Sequence, residues 1–337
     1  MLVARLDSAG DVLLAGPAVR AVAQGAATVV MLCGPRGAAA ARLLPGVDSF
    51  IVWSCPWIEP APASVREDTA AELVAAVRAA GIDEAVIFTS FHQSPLPLAL
   101  LLRLAGVGRV GAISEDYPGS LLDVRHRVDH DLAEPERAAS LAAAAGFPLP
   151  AWDHGRLAVR QPLPDIAALV GDDPYVVVHP GASVPARAWP AERCAEAVRA
   201  LVDDGRRVLV TGSPAEVELT RAVAAGAVVD LGGRTGLAEL AAVLAGADAV
   251  VVANTGPAHL AAAVGTPVVS LFAPTVPAAR WAPYGVRHVL LGDQDAGCRG
   301  SRARVCPIPG HPCLSGVTAD EVVAAVDKLC PGRGLTS

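Results

Sequence analysis

The 337-residue chain is 53% hydrophobic and only 18% charged, yet no run of about 18 strongly apolar residues appears, which argues against a transmembrane helix. A formal net charge of −7 argues against nonspecific nucleic-acid binding. The opening MLVARL reads as a strand and lacks the basic start, apolar core and cleavage site of a signal peptide, so a cytoplasmic protein of two domains is expected.

In the first half, apolar strands are expected at 2–6, 28–33, 50–52, 84–88 and 110–112, with helices at 12–23 and 38–44 and others between. Helix 96–104 is apolar nearly all round, the pattern of a helix buried against a sheet. The proline-rich stretch from 152 to 174 lacks a strong period and reads as the connection between domains.

The second half restarts the same alternation. Strands are expected at 175–179, 207–211, 228–230, 249–252 and 268–272, and helices at 191–203, 215–225, 237–245 and 318–329. Alternating βα units in both halves imply an α/β chain of two doubly wound domains, 1–157 and 175–337, joined by a linker at 158–174, with the site in the cleft between them. Neither half has a G-x-G-x-x-G fingerprint or a P-loop, which disfavours a dinucleotide dehydrogenase or P-loop NTPase.

Seven cysteines are an odd number, and Cys298, Cys306 and Cys313 cluster with His311 nearby. Their gaps are too wide for the close C-x-x-C pairs of most zinc sites, so an irregular loop of reduced cysteines is expected, and no metal. Arginine almost completely replaces lysine (Lys328 is the only one), which with abundant Ala, Gly and Pro reads as the bias of a GC-rich genome.

Four strand-to-helix turns carry the polar residues. The first holds Ser8, Gly10 and Asp11; Asp11 could cap the helix or act as a general base. The second, Gly181-Ala182-Ser183 after His179, permits close backbone approach to a ligand, and Arg187 beyond it would suit a diphosphate or be a solvated loop residue. In the third, Thr211-Gly212-Ser213-Pro214, Glu216 could accept from a ribose diol or simply favour the helix dipole. The fourth, Asn254-Thr255-Gly256-Pro257, precedes an alanine-rich helix and a further buried strand; it aims backbone N–H groups and a helix N-terminus at a phosphate, with His259 one turn inside.

Together these residues resemble glycosyltransferase family 9, the ADP-heptose:lipopolysaccharide heptosyltransferases. The blocks are RLDSAGDVLL, HPGAS with RAWP, TGSP, NTGPAHLAAAVGTPVVSLFAPT and RWAPYG, in the family's order over nearly the whole chain. The resemblance implies a GT-B fold with two Rossmann-like domains, the nucleotide sugar on the second, and inverting transfer without a metal or other cofactor. It implies Asp11 as the base and Arg187, where relatives often carry lysine, with the turn at Thr255-Gly256 as stabilisers of the leaving diphosphate. ADP-heptose is the leading donor, although relatives often carry aspartate where this chain has Asn254. Acceptor contacts are expected from Ser8, Gly10, His92 and Gln93 within 90–94, and from the polar stretch 114–123. The acceptor itself would be a cell-envelope glycan or a secondary metabolite. In GT-B folds a C-terminal helix commonly crosses back, so helix 318–329 is expected to pack on the N-terminal domain. The chain is expected to act as a monomer, with peripheral membrane contact left open. Two other readings are carried: a GT-B nucleotide-sugar epimerase, and a silent nucleotide-sugar binding protein.

Overall fold

A computed structural model describes residues 1–128, 131–226 and 228–330, so the last seven residues of the expected second domain lie outside the described residues. The chain divides into two compact units, 1–160 and 161–337.

The first unit is built on strands β1 (Leu2–Arg5), β2 (Val30–Cys33), β3 (Ser49–Val52), β4 (Glu84–Ile87), β5 (Arg109–Ile113) and β6 (Val124–His126), all parallel, in the order β3-β2-β1-β4-β5-β6. The central strands are short apolar runs buried on both faces, as a sheet covered by helices on each side requires. Helices Glu67–Ala79 and Leu96–Leu104 pack together on one face. Helices Ala9–Leu14, Gly16–Gly25 and Glu134–Ala144 pack together on the other.

The second unit repeats the plan with β7 (Val176–His179), β8 (Val208–Val210), β9 (Val229–Asp230), β10 (Ala249–Ala253), β11 (Val268–Leu271) and β12 (His288–Leu291), parallel and ordered β12-β11-β10-β7-β8-β9. In each sheet the first strand of the unit lies beside the fourth, and the chain winds outward from that pair in both directions. Crossovers therefore leave the two central strands on opposite faces, opening a crevice at their carboxyl ends where open α/β sheets bind ligands.

Several elements differ from expectation. The helix expected at 12–23 starts earlier and breaks at Ala15 into Ala9–Leu14 and Gly16–Gly25, because Pro17 has no N–H to continue the first ladder. Edge strands β6 and β12 were not expected; β6 has one apolar residue in Val-Arg-His, and β12, His-Val-Leu-Leu, is only four residues long. Helix Leu96–Leu104 packs against the sheet as expected, through Leu98, Ala99 and Leu102, but its apolar far side is open, Leu100 being 47% and Leu104 58% exposed. The stretch read as a linker is anchored at its start. Arg20 binds Asp153 through two bonds of 2.7 and 2.8 Å, and the Arg160 amide donates to Leu43 O at 2.7 Å, so residues up to 160 lie on the first unit. The C-terminal helix expected to return to the first domain, Ala319–Leu329, spends its apolar stripe elsewhere. Val322, Ala325, Val326 and Leu329 recur at helical spacing and are buried in the second unit's own core beside helix Ala191–Asp203. Thr318 opens that helix through a reciprocal cap with Glu321. Among the described residues no helix is long and apolar enough to cross a membrane.

One-sided burial of helix Leu96–Leu104 gives a direct test. Leu102→Ala should cost about 2–5 kcal/mol in urea unfolding, and Leu104→Ala within about 0.5 kcal/mol of nothing; equal losses would contradict the burial described.

Candidate active site

In the first unit the switch point lies between β1 and β4, and their carboxyl ends hold a dense polar cluster. β1 ends on Arg5, a guanidinium only 3% exposed. Its Nη2 donates to Asp11 Oδ1 at 3.0 Å and to Ser90 Oγ, beyond β4, at 2.9 Å. Its Nε lies 2.9 Å from Asp7 Oδ2, an ion-pair contact, and its Nη1 lies 3.6 Å from Glu134 Oε2. Asp11 occupies the first turn of helix Ala9–Leu14, where its Oδ2 accepts from the Ser8 amide at 3.2 Å and the Ser8 hydroxyl at 2.6 Å. The capping role is seen directly: Asp11 serves the helix terminus, while its side chain stays partly open at 21% exposure. Gln93 closes the ring, accepting from the Ser90 amide at 3.0 Å and donating to Asp7 Oδ1 at 2.5 Å.

Burial pushes the Asp7 carboxyl above the usual range, with Asp11 adding to the rise and Arg5 opposing it. For Arg5 burial opposes the charge, but Asp7, Asp11 and Glu134 together hold the guanidinium above its ordinary value.

Ser8, Gly10, Asp11 and Gln93 are therefore brought together, while His92 stands exposed beside Phe91, ring centroids 5.7 Å apart. The stretch 114–123 divides. Tyr117 is 84% exposed, whereas Asp123 serves the fold, its Oδ2 accepting from Val110 N at 2.7 Å and Arg103 Nη2 at 2.6 Å. Sequence reading missed the roles of Arg5, Asp7, Ser90 and Glu134. The available signal was a charge closing an otherwise apolar strand.

In the second unit the corresponding switch point lies between β7 and β10. His179, last residue of β7, is buried and its Nδ1 lies 3.0 Å from Thr211 Oγ1 at the end of β8. Burial lowers the affinity of this imidazole for a proton, against the pull of Glu216. Glu216 Oε2 accepts from the Ser213 amide at 2.8 Å and the Ser213 hydroxyl at 2.7 Å, capping the turn Pro214–Glu216. The same carboxylate lies against Gly181, where an added Cβ would overlap it. Gly181, Thr211, Gly212 and Glu216 thus form one group, with Ala182 and Ser183 following on the Gly181 loop.

Arg187, Asn254, Thr255, Gly256 and His259 form the other group. Arg187 ends the short turn Pro185–Arg187, and its Nη1 reaches Asn254 O at 3.4 Å. Asn254 does not simply present its amide to a ligand: its Nδ2 and Oδ1 make long bonds of 3.4 Å to Ala273 O and Ala273 N, joining the ends of β10 and β11. Thr255 also turns inward, its amide donating to Ala253 O at 2.8 Å and its hydroxyl at 3.3 Å. The expected pair of ligand donors at Thr255-Gly256 therefore reduces, in this arrangement, to the Gly256 end of helix Gly256–Ala263, where His259 is buried.

The cysteine-bearing loop supports this turn. Ala186 N donates to Arg304 O at 3.0 Å, the His311 ring Nε2 lies 3.1 Å from Ala186 O, and Trp189 Nε1 donates to Leu314 O at 3.0 Å. His311 is thus engaged with backbone beside Arg187. All seven cysteines are free thiols, and among the described residues no group of three or more His, Cys, Asp or Glu side chains could hold a metal ion.

A family model, Glycosyltransferase family 9 (heptosyltransferase), matches residues 92–311. No curated protein matches the chain by sequence. Among solved structures, the chain is similar to a glycosyl transferase family 9 protein from Veillonella parvula DSM 2008 at 18% identity, covering 97% of this chain and 96% of that one with a TM-score of 0.77. It is similar to E. coli ADP-heptose lps heptosyltransferase II at 19% identity, 97% coverage of each and a TM-score of 0.74. It is also similar to E. coli heptosyltransferase WaaC with ADP-2-deoxy-2-fluoro heptose, at 24% identity, 97% and 98% coverage and a TM-score of 0.71. These likenesses establish the GT-B-like α/β class of the fold.

The lowered proton affinity of His179 makes stability fall with acid. The folded state takes up the proton less readily than the unfolded state, so this contribution is complete above the ordinary histidine pKa of 6.5 and is lost as pH drops below it. Urea midpoints measured from pH 7.5 to 5 should fall, and His179→Gln, which keeps a partner for Thr211, should flatten that slope; an unchanged slope would refute a buried neutral imidazole.

Proposed function

For a chain that belongs to glycosyltransferase family 9, and is a glycosyltransferase, we propose inverting, metal-independent transfer of heptose from ADP-heptose to an acceptor hydroxyl of a cell-envelope glycan or secondary metabolite. The observation that carries this reading is Asp11: a carboxylate at the carboxyl end of the central strand, both oxygens held, and its side chain still partly open at 21% exposure. Ligands bound to the heptosyltransferases of similar fold, ADP-2-deoxy-2-fluoro heptose in one case, support the donor class.

In this mechanism the Asp11 carboxylate takes the proton of the acceptor hydroxyl as its oxygen forms the new bond to the anomeric carbon. The bond from that carbon to the diphosphate oxygen breaks on the opposite face, so configuration inverts and ADP leaves with the electron pair. Arg187 offers the departing diphosphate a fixed positive charge and a bidentate donor edge. The Gly256 end of helix Gly256–Ala263 adds backbone dipole of the right sign. Glu216, held by Ser213 and pressed against Gly181, would accept from the ribose diol. His92 and Gln93 would face the acceptor from the first unit.

Asp11→Asn should abolish transfer, followed by ADP release, while leaving ADP affinity nearly intact; unchanged turnover would sink the base assignment. Calorimetry without added metal should give ADP tighter binding than UDP or GDP, with ADP-heptose tighter still. Arg187→Ala should weaken that binding and lower turnover by roughly 10²–10³-fold. Transfer should survive chelator. Preference for another nucleotide would keep the transferase and remove ADP-heptose from the claim.

A further inference from the structure

The Arg5 cluster is more elaborate than helix capping requires. Ser8 alone would cap helix Ala9–Leu14, and one carboxylate would balance one buried guanidinium. Instead Arg5 faces three carboxylates from three segments: Asp7 just past β1, Asp11 on helix Ala9–Leu14 and Glu134 on helix Glu134–Ala144. Two of these side chains are enclosed, Glu134 at 2% and Asp7 at 10% exposure, and only Asp11 is substantially open at 21%. Among the described residues, the charged groups that also reach the cluster include Arg137, 3.9 Å from Glu134, and Arg36, whose field reaches Asp7. The Cys55 thiol also lies near Asp7; burial pushes it up to about 12, so it stays protonated.

We infer that Arg5 is a positioning residue for the Asp11 base: its Nη2, locked by Ser90, fixes the orientation of the Asp11 carboxylate, while the carboxylates of Asp7 and Glu134 set fields opposed to that of Arg5 beside it. The inference rests on the reading of Asp11 as the base. Orientation follows from the fork itself. Nη2 bonds Asp11 Oδ1 and Ser90 Oγ together, and Ser90 is in turn set by Gln93 and through it by Asp7. A carboxylate held at both oxygens cannot rotate away from an acceptor, and small misplacements of reacting groups are costly. The charge balance follows from superposition: a lone arginine at 3.0 Å would make its carboxylate a poor proton acceptor, whereas here Asp7 and Glu134 add fields of the opposite sign.

The two roles separate in a carbon-13 NMR titration of protein labelled at aspartate carboxyls, with the Asp11 signal identified by its absence in Asp11→Asn. Arg5→Met should raise the Asp11 midpoint by about one pH unit, a tenfold change in proton affinity. Asp7→Asn should lower it, because the negative field of Asp7 on Asp11 is then removed while that of Arg5 stays. These opposite shifts test the charge balance, and the kcat of Arg5→Lys tests the orientation. Arg5→Lys keeps the charge but cannot reach Asp11, Ser90 and Asp7 at once. It should leave the midpoint near that of wild type yet lower kcat by about 10²-fold, with KM for the donor unchanged, read as ADP released from ADP-heptose with water as acceptor. Circular dichroism establishes folding, and where Arg5→Met does not fold, Asp7→Asn and Arg5→Lys decide the matter.

Midpoints that stay within 0.3 of wild type in folded Arg5→Met and Asp7→Asn, or full release by Arg5→Lys beside an inactive Asp11→Asn, would overturn the inference alone. Unchanged release by Asp11→Asn would remove the base reading on which it rests. No release by wild type would count against ADP-heptose as donor, and the titration would still decide the part played by Arg5.

Discussion

Parallel pairing is the constraint from which the rest of this molecule follows. A parallel strand cannot be joined to its neighbour by a hairpin, so every strand in both sheets returns through a crossover, and all carboxyl ends fall on one edge. Because each sheet winds outward from a central pair, β1 with β4 and β7 with β10, the turns at those ends diverge and leave room for side chains. The same constraint explains why the interior tolerates so few polar groups and why those present sit at strand ends, where the ladder stops and a side chain can find a partner.

The two units use that edge differently. In the first, charge is concentrated: Arg5, Asp7, Asp11 and Glu134 meet at the end of one strand, where the carboxylates hold the arginine charged and burial lifts Asp7. In the second, the strand-end groups are largely neutral or bound to backbone. His179 is kept from protonation by burial, Glu216 is occupied with Ser213, and Asn254 joins two strand ends. An edge rich in carboxylates suits moving a proton, and one built of small residues, a helix terminus and Arg187 suits receiving an anion. The loop from Cys298 to Leu314 belongs to this second arrangement as a brace: its contacts to Ala186 and Trp189 set the turn that carries Arg187.

Much of the architecture was legible because burial on both faces leaves a plain mark. Runs such as Val250-Val251-Val252 and Leu2-Val3-Ala4 admit little besides a central strand. At the sheet edges the mark fades, as in β6, whose Val-Arg-His has a single apolar residue, and an all-apolar helix such as Leu96–Leu104 does not tell which side faces out, here that of Leu100 and Leu104. The C-terminal helix shows a further limit. Its stripe of Val322, Ala325, Val326 and Leu329 announces that one face is covered, and nothing in that spacing says by which sheet.

The sequence by itself determined the parallel α/β class, the polar turns and, through their order and spacing, the glycosyltransferase family, because these depend on local pattern: period, turn chemistry and short motifs. Tertiary structure decided what those residues touch. Only folding brings Arg5 to Ser90, 85 positions away, or turns the side chain of Asn254 onto the backbone of Ala273 and lays Glu216 against Gly181. The reason is physical. A side chain's partner is chosen by which strand ends the sheet order makes neighbours, and that order is a property of the whole packed sheet rather than of any segment within it.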